Sequence, residues 1–412
     1  MRRLVVALLL VTAACGQAQA RPVTSPLAAT ATTPSATATS AVDPSPSASP
    51  NPNPTPSAIP IPTTSSSLVF AALEAKGTTA SKVPQWNTIA IAGLDGYARA
   101  KATFTPMRLP NVGCMAPVLP LSAHIAAGRV YFADGSGVIR SLSIQGQVTQ
   151  VATFPLTSDQ QMLSFAVSPD KSRLLGAIFT LPPKPNLACT GTPAVDGYGL
   201  DVYSAQPGGA TSLLYHQSVP AAGVDARRLD LGINVMALID WDQVGPVATL
   251  PTNWATQGGL PQKYQGTPVR VDSTTGKVLK QITDPAACYL QDIALSGDFL
   301  CGPGGAVLSV RRPDGSEIWR AANQPNDGRY LSFLSPDERS FVALEGTGSI
   351  VTAQDGGRIK LVAECDPRGW LDSATVIGIN YTLGYLCFVR LTAPGAMVDI
   401  GFAGQFVGTV HT

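Results

Sequence analysis

This sequence has little charge, few histidines and no run of basic residues. Its 412 residues include 28 Lys and Arg, 27 Asp and Glu, and 3 His, for a formal net charge of +1. Because a protein that binds nucleic acid needs a basic surface to neutralise phosphates, we expect no nucleic-acid partner. The histidines His124, His216 and His411 form no H-x-x-x-H or H-E-x-x-H arrangement, so we expect no metal site built on histidines.

Long apolar runs and local catalytic motifs are also absent. The run from Leu4 to Val11 holds only eight residues, which is too short to cross a bilayer as a helix. The G-x-S-x-G elbow of hydrolases does not occur. We therefore predict no catalytic residues and no cofactor.

The composition favours a large β-rich core. Hydrophobic residues make up 45% of the chain and charged residues 13%. Val, Ile, Thr and Leu alternate with polar residues in many short runs, which is typical of half-buried strands.

Residues 1–20 are predicted to be an export segment. Arg2 and Arg3 precede the apolar run, and small residues follow it. The stretch Val11-Thr12-Ala13-Ala14-Cys15 resembles the lipobox of bacterial lipoproteins, with Thr12 where leucine is usual. This resemblance implies that Cys15 carries a lipid and that the protein is extracytoplasmic and anchored to a membrane. The alternative is secretion after cleavage at Ala20, because Ala18-Gln19-Ala20 fits the small-x-small pattern of the general signal peptidase.

Residues 21–73 are predicted to be a disordered tether. The stretch from Pro22 to Leu73 contains one charged residue, Asp43, among many Pro, Ser, Thr and Ala residues. Such a segment has too little apolar surface to fold. Its proline-rich runs favour extended conformations that would hold the folded domain, residues 74–412, away from the membrane.

The cysteine count predicts three disulfides. Without Cys15, six cysteines remain in an exported chain. Cys288 and Cys301 flank an apparent hairpin at similar distances from its Ser296-Gly297 turn, which predicts the pair Cys288–Cys301. Sequential pairing of the others predicts Cys114–Cys189 and Cys365–Cys387.

Seven glycine-containing turns interrupt the β-like runs from Trp86 onward. They are Asp95-Gly96, Gln145-Gly146, Gly208-Gly209, Thr275-Gly276, Asp314-Gly315, Asp355-Gly356 and Pro394-Gly395. Several are strong hairpin turns because glycine adopts positive φ without steric cost. The last three intervals are about 40 residues each, the length of a four-stranded propeller blade.

A second kind of turn occurs in the other half of the repeat. The stretch LSFAVSPDKSRLLGAI from Leu163 is similar to LSFLSPDERSFVALE from Leu331, and both place Ser-Pro-Asp between two apolar strands. With these turns the chain resembles bacterial WD40-like and TolB-like β-propellers. We predict an all-β, seven-bladed propeller, with six blades as the alternative.

The first blade is predicted to be completed by the C-terminus. Only two strands, in TIAIAGLDG and ARAKATF, precede the second repeat, and the C-terminal stretch MVDIGFAGQFVGTV is expected to supply the inner strands. Such closure hides sheet edges. Two insertions, residues 181–197 and 250–267, are expected to form loops on a face of the disc.

Several aromatic and acidic residues are candidates for a binding surface, because aromatics stack on sugars and anchor proteins. Asp240, Trp241 and Asp242 precede the second insertion, Trp254 and Tyr264 lie within it, and Trp370 and Asp372 lie where a later blade is expected to begin. For each tryptophan the alternative is packing between blades, and for each aspartate it is a solvated or turn-capping role.

We therefore expect a non-catalytic, monomeric propeller that displays loops to an envelope protein or carbohydrate. The alternative is an envelope enzyme, either a quinone-dependent dehydrogenase or a hydrolase. The stretch from Val271 to Leu279 resembles part of the repeat of pyrroloquinoline-quinone dehydrogenases, and the stretch from Asp314 to Trp319 resembles the Asp-box of sialidases. Each occurs once, and we interpret both as strand and turn elements.

Overall fold

The computed structural model describes most of the chain after residue 67. The described residues are 68–78, 84–107, 116–117, 123–180, 198–219, 236–250, 255–256, 267–283, 288–302, 307–321, 332–345, 348–380 and 382–411. The chain divides into two units, Met1–Ile61 and Pro62–Thr412, and all described residues belong to the second. The described part contains thirty β-strands and no α-helix. It accordingly holds no helix of the length and apolarity needed to span a membrane.

The strands of the first half of the domain form blades 1 to 4. Blade 1 begins with β1 (Val69–Thr78), β2 (Pro84–Gly93) and β3 (Ala98–Thr103), and the two-residue strand β4 (Ala116–Pro117) follows. Blade 2 comprises β5 (Ala123–Ala126), β6 (Arg129–Ala133), β7 (Val138–Leu142) and β8 (Val148–Thr153). Blade 3 comprises β9 (Gln161–Val167), β10 (Leu174–Thr180), β11 (Tyr198–Ala205) and β12 (Thr211–Val219). Blade 4 comprises β13 (Ala237–Trp241), β14 (Pro246–Leu250), β16 (Thr267–Val271) and β17 (Val278–Gln281), with β15 (Ala255–Thr256) between β14 and β16.

The remaining strands form blades 5 to 7 and complete blade 1. Blade 5 comprises β18 (Tyr289–Ile293), β19 (Phe299–Gly302), β20 (Ser309–Arg311) and β21 (Glu317–Arg320). Blade 6 comprises β22 (Ser332–Leu334), β23 (Ser340–Glu345), β24 (Gly348–Ala353) and β25 (Arg358–Lys360). Blade 7 comprises β26 (Cys365–Asp372), β27 (Thr375–Asn380), β28 (Tyr385–Arg390) and β29 (Met397–Ala403), and the last strand is β30 (Gln405–Val410).

Seven four-stranded antiparallel sheets are arranged as the blades of a ring. The first strands of neighbouring blades contact one another, as β5 contacts β9 and β22 contacts β26. Strand β30 contacts β5 on one side and β26 on the other. These strands therefore lie nearest the axis, and the fold is a seven-bladed β-propeller.

Seven apolar clusters hold the ring together, and each combines side chains from two neighbouring blades. Phe154 of blade 2 packs with Phe165 of blade 3, and Phe70 of blade 1 packs with Leu371 and Phe388 of blade 7. Together these clusters join each blade to the next and blade 7 to blade 1, and burial of their apolar area stabilises the closed ring. The prediction of seven blades is confirmed, and the six-bladed alternative is wrong.

The C-terminal strand closes blade 1, as predicted, but in a different way. Strand β30 pairs with β1, with Val69 opposite Val410 and Leu73 opposite Gln405. Blade 1 has the order β3-β2-β1-β30, whereas β29 is the outer strand of blade 7. The stretch MVDIGFAGQFVGTV therefore supplies one inner strand rather than two, and β1 supplies the other. Because β1 begins at Val69, five residues of the predicted tether belong to the propeller.

The antiparallel strands place the turns at two opposite faces of the disc. We number the strands of each blade outward from the axis. One face of the disc, the short-turn face, carries the turns between the first and second strands and between the third and fourth. The opposite face, the connection face, carries the connections between the second and third strands and between blades. All seven predicted glycine turns join third and fourth strands, and both Ser-Pro-Asp turns join first and second strands. Positive φ occurs in six of the seven, at Gly96, Gly146, Gly208, Gly276, Gly315 and Gly356, while Gly395 has an ordinary φ.

Two of the predicted disulfides are present. Cys288 is bonded to Cys301 and Cys365 to Cys387, with Cα–Cα distances of 5.3 and 6.0 Å. The predicted pair Cys114–Cys189 lies outside the described residues, as does the insertion at 181–197. In the insertion at 250–267, Leu250 is the last residue of β14, Thr267 is the first residue of β16, and the backbone of β15 pairs with β4.

Candidate functional site

Three of the predicted site residues lie at the first turn of blade 4: Asp240 and Trp241 end β13, and Asp242 begins the turn. This turn joins β13 to β14 at the short-turn face. The carboxylate of Asp242 accepts hydrogen bonds from the backbone N of Val244, at 2.8 Å, and of Gly245, at 3.1 Å. An aspartate in such a position stabilises a tight turn because its side-chain oxygens accept hydrogen bonds from backbone N–H groups of the turn.

Asp242 also forms an ion pair with Arg270 on β16. The Arg270 Nη1 atom lies 2.6 Å from Asp242 Oδ1, and the two side chains are 4% and 2% exposed. The same Nη1 atom donates to the carbonyl oxygen of Gly245 at 3.0 Å. Burial raises the pKa of the Asp242 carboxyl, while the Arg270 guanidinium and the turn amides oppose that rise. With its charge paired inside the blade, Asp242 holds the turn in place instead of facing a ligand.

The neighbouring turn of blade 5 packs directly against this turn. The backbone N of Gln243 donates to the carbonyl oxygen of Leu295 at 2.9 Å. A Cβ added to Gly297 would clash with the side chain of Val244 and lie 3.3 Å from Cγ of Pro313. Val244 is nevertheless 48% exposed and Leu295 60% exposed. We call Val244, Leu295 and Pro313 the blade 4–5 turn surface.

The other predicted site residues have mainly structural surroundings. Trp370 is 6% exposed, lies in the cluster between blades 6 and 7, and donates from Nε1 to the carbonyl oxygen of Phe333 at 2.9 Å. Its position therefore differs from the predicted surface loop and matches the alternative of packing between blades. Trp241 packs against the cluster between blades 3 and 4, and Asp240 accepts a hydrogen bond from the backbone N of Trp241 at 2.8 Å.

The candidates that the structure describes do not converge on one site. Asp372 accepts a hydrogen bond from the backbone N of Ala374 at 2.9 Å in the first turn of blade 7, again at the short-turn face. Asp240, Trp241 and Asp242 belong to blade 4, and Trp370 is buried between blades 6 and 7. Trp254 and Tyr264 lie outside the described residues.

Aspartates close many turns at the short-turn face in the same manner. Asp170 accepts hydrogen bonds from the backbone and hydroxyl of Ser172, and Asp314 accepts one from the backbone N of Ser316 at 2.8 Å. Hydrogen bonds from the Ser168 and Ser172 side chains and from the Ser172 backbone lower the pKa of Asp170 to about 2. The stretch that resembles an Asp-box is thus a turn, as we interpreted it.

Polar side chains of the inner strands link neighbouring blades near the axis. The Ser164 hydroxyl on β9 accepts from the backbone N of Leu238 on β13 at 2.9 Å. Asp292 Oδ2 on β18 accepts from the backbone N of Leu334 on β22 at 3.0 Å. Thr409 on β30 donates to carbonyl oxygens of β26. These groups are occupied in holding strands together, so they make the ring rigid.

One polar pair was missed by the sequence reasoning. His216 Nδ1 on β12 lies 2.6 Å from Asp201 Oδ1 on β11, and the His216 side chain is 57% exposed. The two residues are directly opposite in the strand register, which sequence distance alone does not show. In the described part of the chain, no group of three or more His, Cys, Asp and Glu residues is placed to hold a metal ion.

Comparisons with known proteins assign the chain to no family. No family model matches the chain, and no curated protein matches it. A protein of unknown function from Desulfotomaculum acetoxidans is 10% identical, with a TM-score of 0.42, covering 83% of this chain and 99% of its own. Oligogalacturonate lyase from Vibrio parahaemolyticus is 9% identical, with a TM-score of 0.41, covering 80% of this chain and 89% of its own. The β-propeller domain of Cps50 (Swd1) from Myceliophteria thermophila is 10% identical, with a TM-score of 0.38, covering 69% of this chain and 87% of its own.

Proposed function

We propose that this chain is an exported, lipid-anchored β-propeller that binds an envelope protein or carbohydrate without catalysing a reaction. The observation that carries the proposal is the closure of blade 1 by β1 and β30, which fixes both ends of the domain at the short-turn face. An anchor joined there leaves the connection face available to a ligand. A closed ring also holds its surface residues in place before contact, which lowers the ordering cost of binding.

The disulfides support export. Disulfides persist in oxidising compartments and are rare in the cytosol. Cys288–Cys301 links residues within blade 5 and Cys365–Cys387 links strands within blade 7, so each bond reinforces one blade of the ring. The positively charged start, the short apolar run and Cys15 provide the matching N-terminal pattern.

The anchor would raise the concentration of the propeller near envelope ligands. Confinement at a surface makes binding effectively intramolecular, so a modest affinity suffices. Asp242 is paired with Arg270 and Asp372 closes its own turn, so we assign both carboxylates to the scaffold rather than to the ligand-binding surface.

The test is recovery of the intact protein from membranes, followed by mass spectrometry of its N-terminus and of the proteins or glycans recovered with it. We expect a lipid-modified Cys15 as the first residue, and a Cys15→Ala variant that leaves the membrane fraction. A mature chain that begins at Arg21 and occurs only in the medium would overturn the anchor. Retention of the anchor with no recovered ligand under crosslinking would overturn the binding role.

A further inference from the structure

The buried ion pair of Asp242 and Arg270 uses one carboxylate oxygen and one terminal nitrogen, and leaves the other two atoms without partners. Asp242 Oδ1 accepts hydrogen bonds from the backbone N of Val244 and of Gly245 and from Arg270 Nη1. Asp242 Oδ2 and Arg270 Nη2 are buried as well, but neither has a hydrogen-bond partner within the described part of the chain. Folded proteins seldom leave such atoms unpaired, because burial has removed their hydrogen bonds to bulk water.

The turn between β13 and β14 keeps this pair in a single-ended geometry. A carboxylate and a guanidinium can also face each other through two parallel hydrogen bonds. Here two turn amides hold Asp242 Oδ1, and the carbonyl oxygen of Gly245 accepts from Arg270 Nη1 at 3.0 Å. Turning either group far enough to join Oδ2 to Nη2 would disturb these backbone hydrogen bonds. The two unpaired atoms therefore need a partner from elsewhere.

The unpaired end of Arg270 lies at the seam between blades 4 and 5. A Cβ added to Gly297, in the first turn of blade 5, would lie 3.4 Å from Arg270 Nη2, beside the blade 4–5 turn surface. The hydrogen bond from the backbone N of Gln243 to the carbonyl oxygen of Leu295 joins the two turns. With the two side chains of the ion pair 4% and 2% exposed, the seam separates both unpaired atoms from bulk solvent.

The charges of the two atoms define the ligand that they can share. Asp242 Oδ2 requires a donor, whereas Arg270 Nη2 requires an acceptor. A cation would be repelled by the guanidinium and an anion by the carboxylate. The close packing of the two turns favours a ligand of one heavy atom, since even a Cβ at Gly297 would clash with Val244. Water is neutral, has this size, and donates and accepts at the same time.

We propose that Asp242 Oδ2 and Arg270 Nη2 together bind one buried water molecule at the seam between blades 4 and 5. The water completes the hydrogen bonding of the ion pair and is part of the folded ring. Because the two turns close over it, it exchanges with solvent only when they separate, so its residence time measures local opening of this seam. The site is independent of the proposed lipid anchor and of the proposed ligand.

The first test is a crystal structure of the full chain at a resolution that shows ordered water. We expect one density peak within hydrogen-bond distance of both Asp242 Oδ2 and Arg270 Nη2. A direct hydrogen bond between these two atoms would overturn the proposal, and so would a peak that reaches only one of them. This test needs no substitution, so it does not depend on the folding of a variant.

The second test counts long-lived water molecules in solution by oxygen-17 relaxation dispersion, measured at several temperatures so that slow exchange does not hide the site. The double variant Asp242→Leu, Arg270→Met removes both unpaired atoms, and we expect it to hold one long-lived water molecule fewer than the wild type. The matched control is Arg320→Met, which removes an exposed pair with Glu317 and should leave the count unchanged. Equal counts in the wild type and the double variant, or the same loss in the control, would overturn the proposal.

Discussion

Cys365 and Cys387 are joined by a disulfide although their strands are not neighbours in the sheet. Cys365 lies on β26 and Cys387 on β28, with β27 between them. Gly378 on β27 is opposite Cys387. A Cβ added to Gly378 would lie 2.9 Å from the Cys365 sulfur and closer still to the carbonyl oxygen of Asp366. The disulfide therefore passes over β27 at Gly378, a residue that has no side chain.

We predict that Gly378→Ala destabilises blade 7. The new methyl group would press on both the sulfur and the backbone of β26, and overpacking of this kind costs about 1–3 kcal/mol. Thermal or urea denaturation of the purified protein measures the change. Gly395→Ala is the matched control, since no atom lies within 4 Å of its added Cβ. Equal stability of the two variants would show that the crowding around Gly378 is relieved at no cost.

We predict that Phe70→Ala strongly destabilises the propeller, even though sequence composition assigned this residue to the tether. Phe70 is fully buried, and its ring lies 6.3 Å from that of Phe402 and 6.4 Å from that of Phe406. Removal of a buried phenylalanine from a core costs about 3–5 kcal/mol. Denaturation midpoints measure the loss, with the exposed Leu383→Ala as control. An unchanged denaturation midpoint would show that residues 69–73 are not part of the folded propeller.

Phe70 was predicted to lie in the tether but is buried in blade 1, and this error separates what local sequence predicts from what it does not. The seven glycine turns could be predicted from local sequence, and in six of them the glycine adopts a positive φ, which is a property of one residue and its neighbours. The start of β1 could not, because Leu68 to Leu73 is a short apolar run directly after a Pro, Ser and Thr-rich stretch. Its burial depends on β30, which lies more than three hundred residues later in the chain.

The candidate site was harder to predict for the same reason. Asp242 was singled out from the sequence, but its partner Arg270 lies on another strand of the blade. The backbone bond from Gln243 to Leu295 forms only because turns of blades 4 and 5 meet at one face. The sequence showed which residues occupy turns, while the faces on which they meet depend on the number of blades and on the strand directions.

We predict that breaking the Asp242–Arg270 pair costs more than replacing it. Arg270→Met leaves a buried carboxylate without its partner, and loss of one member of a buried pair costs about 3–5 kcal/mol. The double variant Asp242→Leu, Arg270→Met is expected to be more stable than Arg270→Met alone, because no charge then remains buried. Urea denaturation of Asp242→Leu, of Arg270→Met and of the double variant gives the coupling free energy between the two side chains. Arg320→Met removes a pair with Glu317 in which Arg320 is 64% exposed, so its effect should be much smaller. A double variant less stable than either single variant would contradict this account.

We predict that Glu338→Gln stabilises the protein near neutral pH. Burial raises the pKa of Glu338, and the nearby carboxyl groups of Asp298 and Asp337 raise it further, against a hydrogen bond from Ser296. When folding raises the pKa of an acid, that acid stabilises the folded state fully at a pH below its unfolded pKa, about 4.3 for glutamate. This stabilisation is lost as the pH rises through the pKa of the folded state. The advantage of Glu338→Gln should therefore be absent near pH 4 and grow toward pH 7 in thermal denaturation.

Glu317→Gln should show the opposite sign, because hydrogen bonding from Arg320 lowers the pKa of Glu317. Its stability deficit should be largest at neutral pH and disappear on acidification. If the two variants follow the same pH trend, the repulsion among the three carboxyl groups around Glu338 is not what sets its titration.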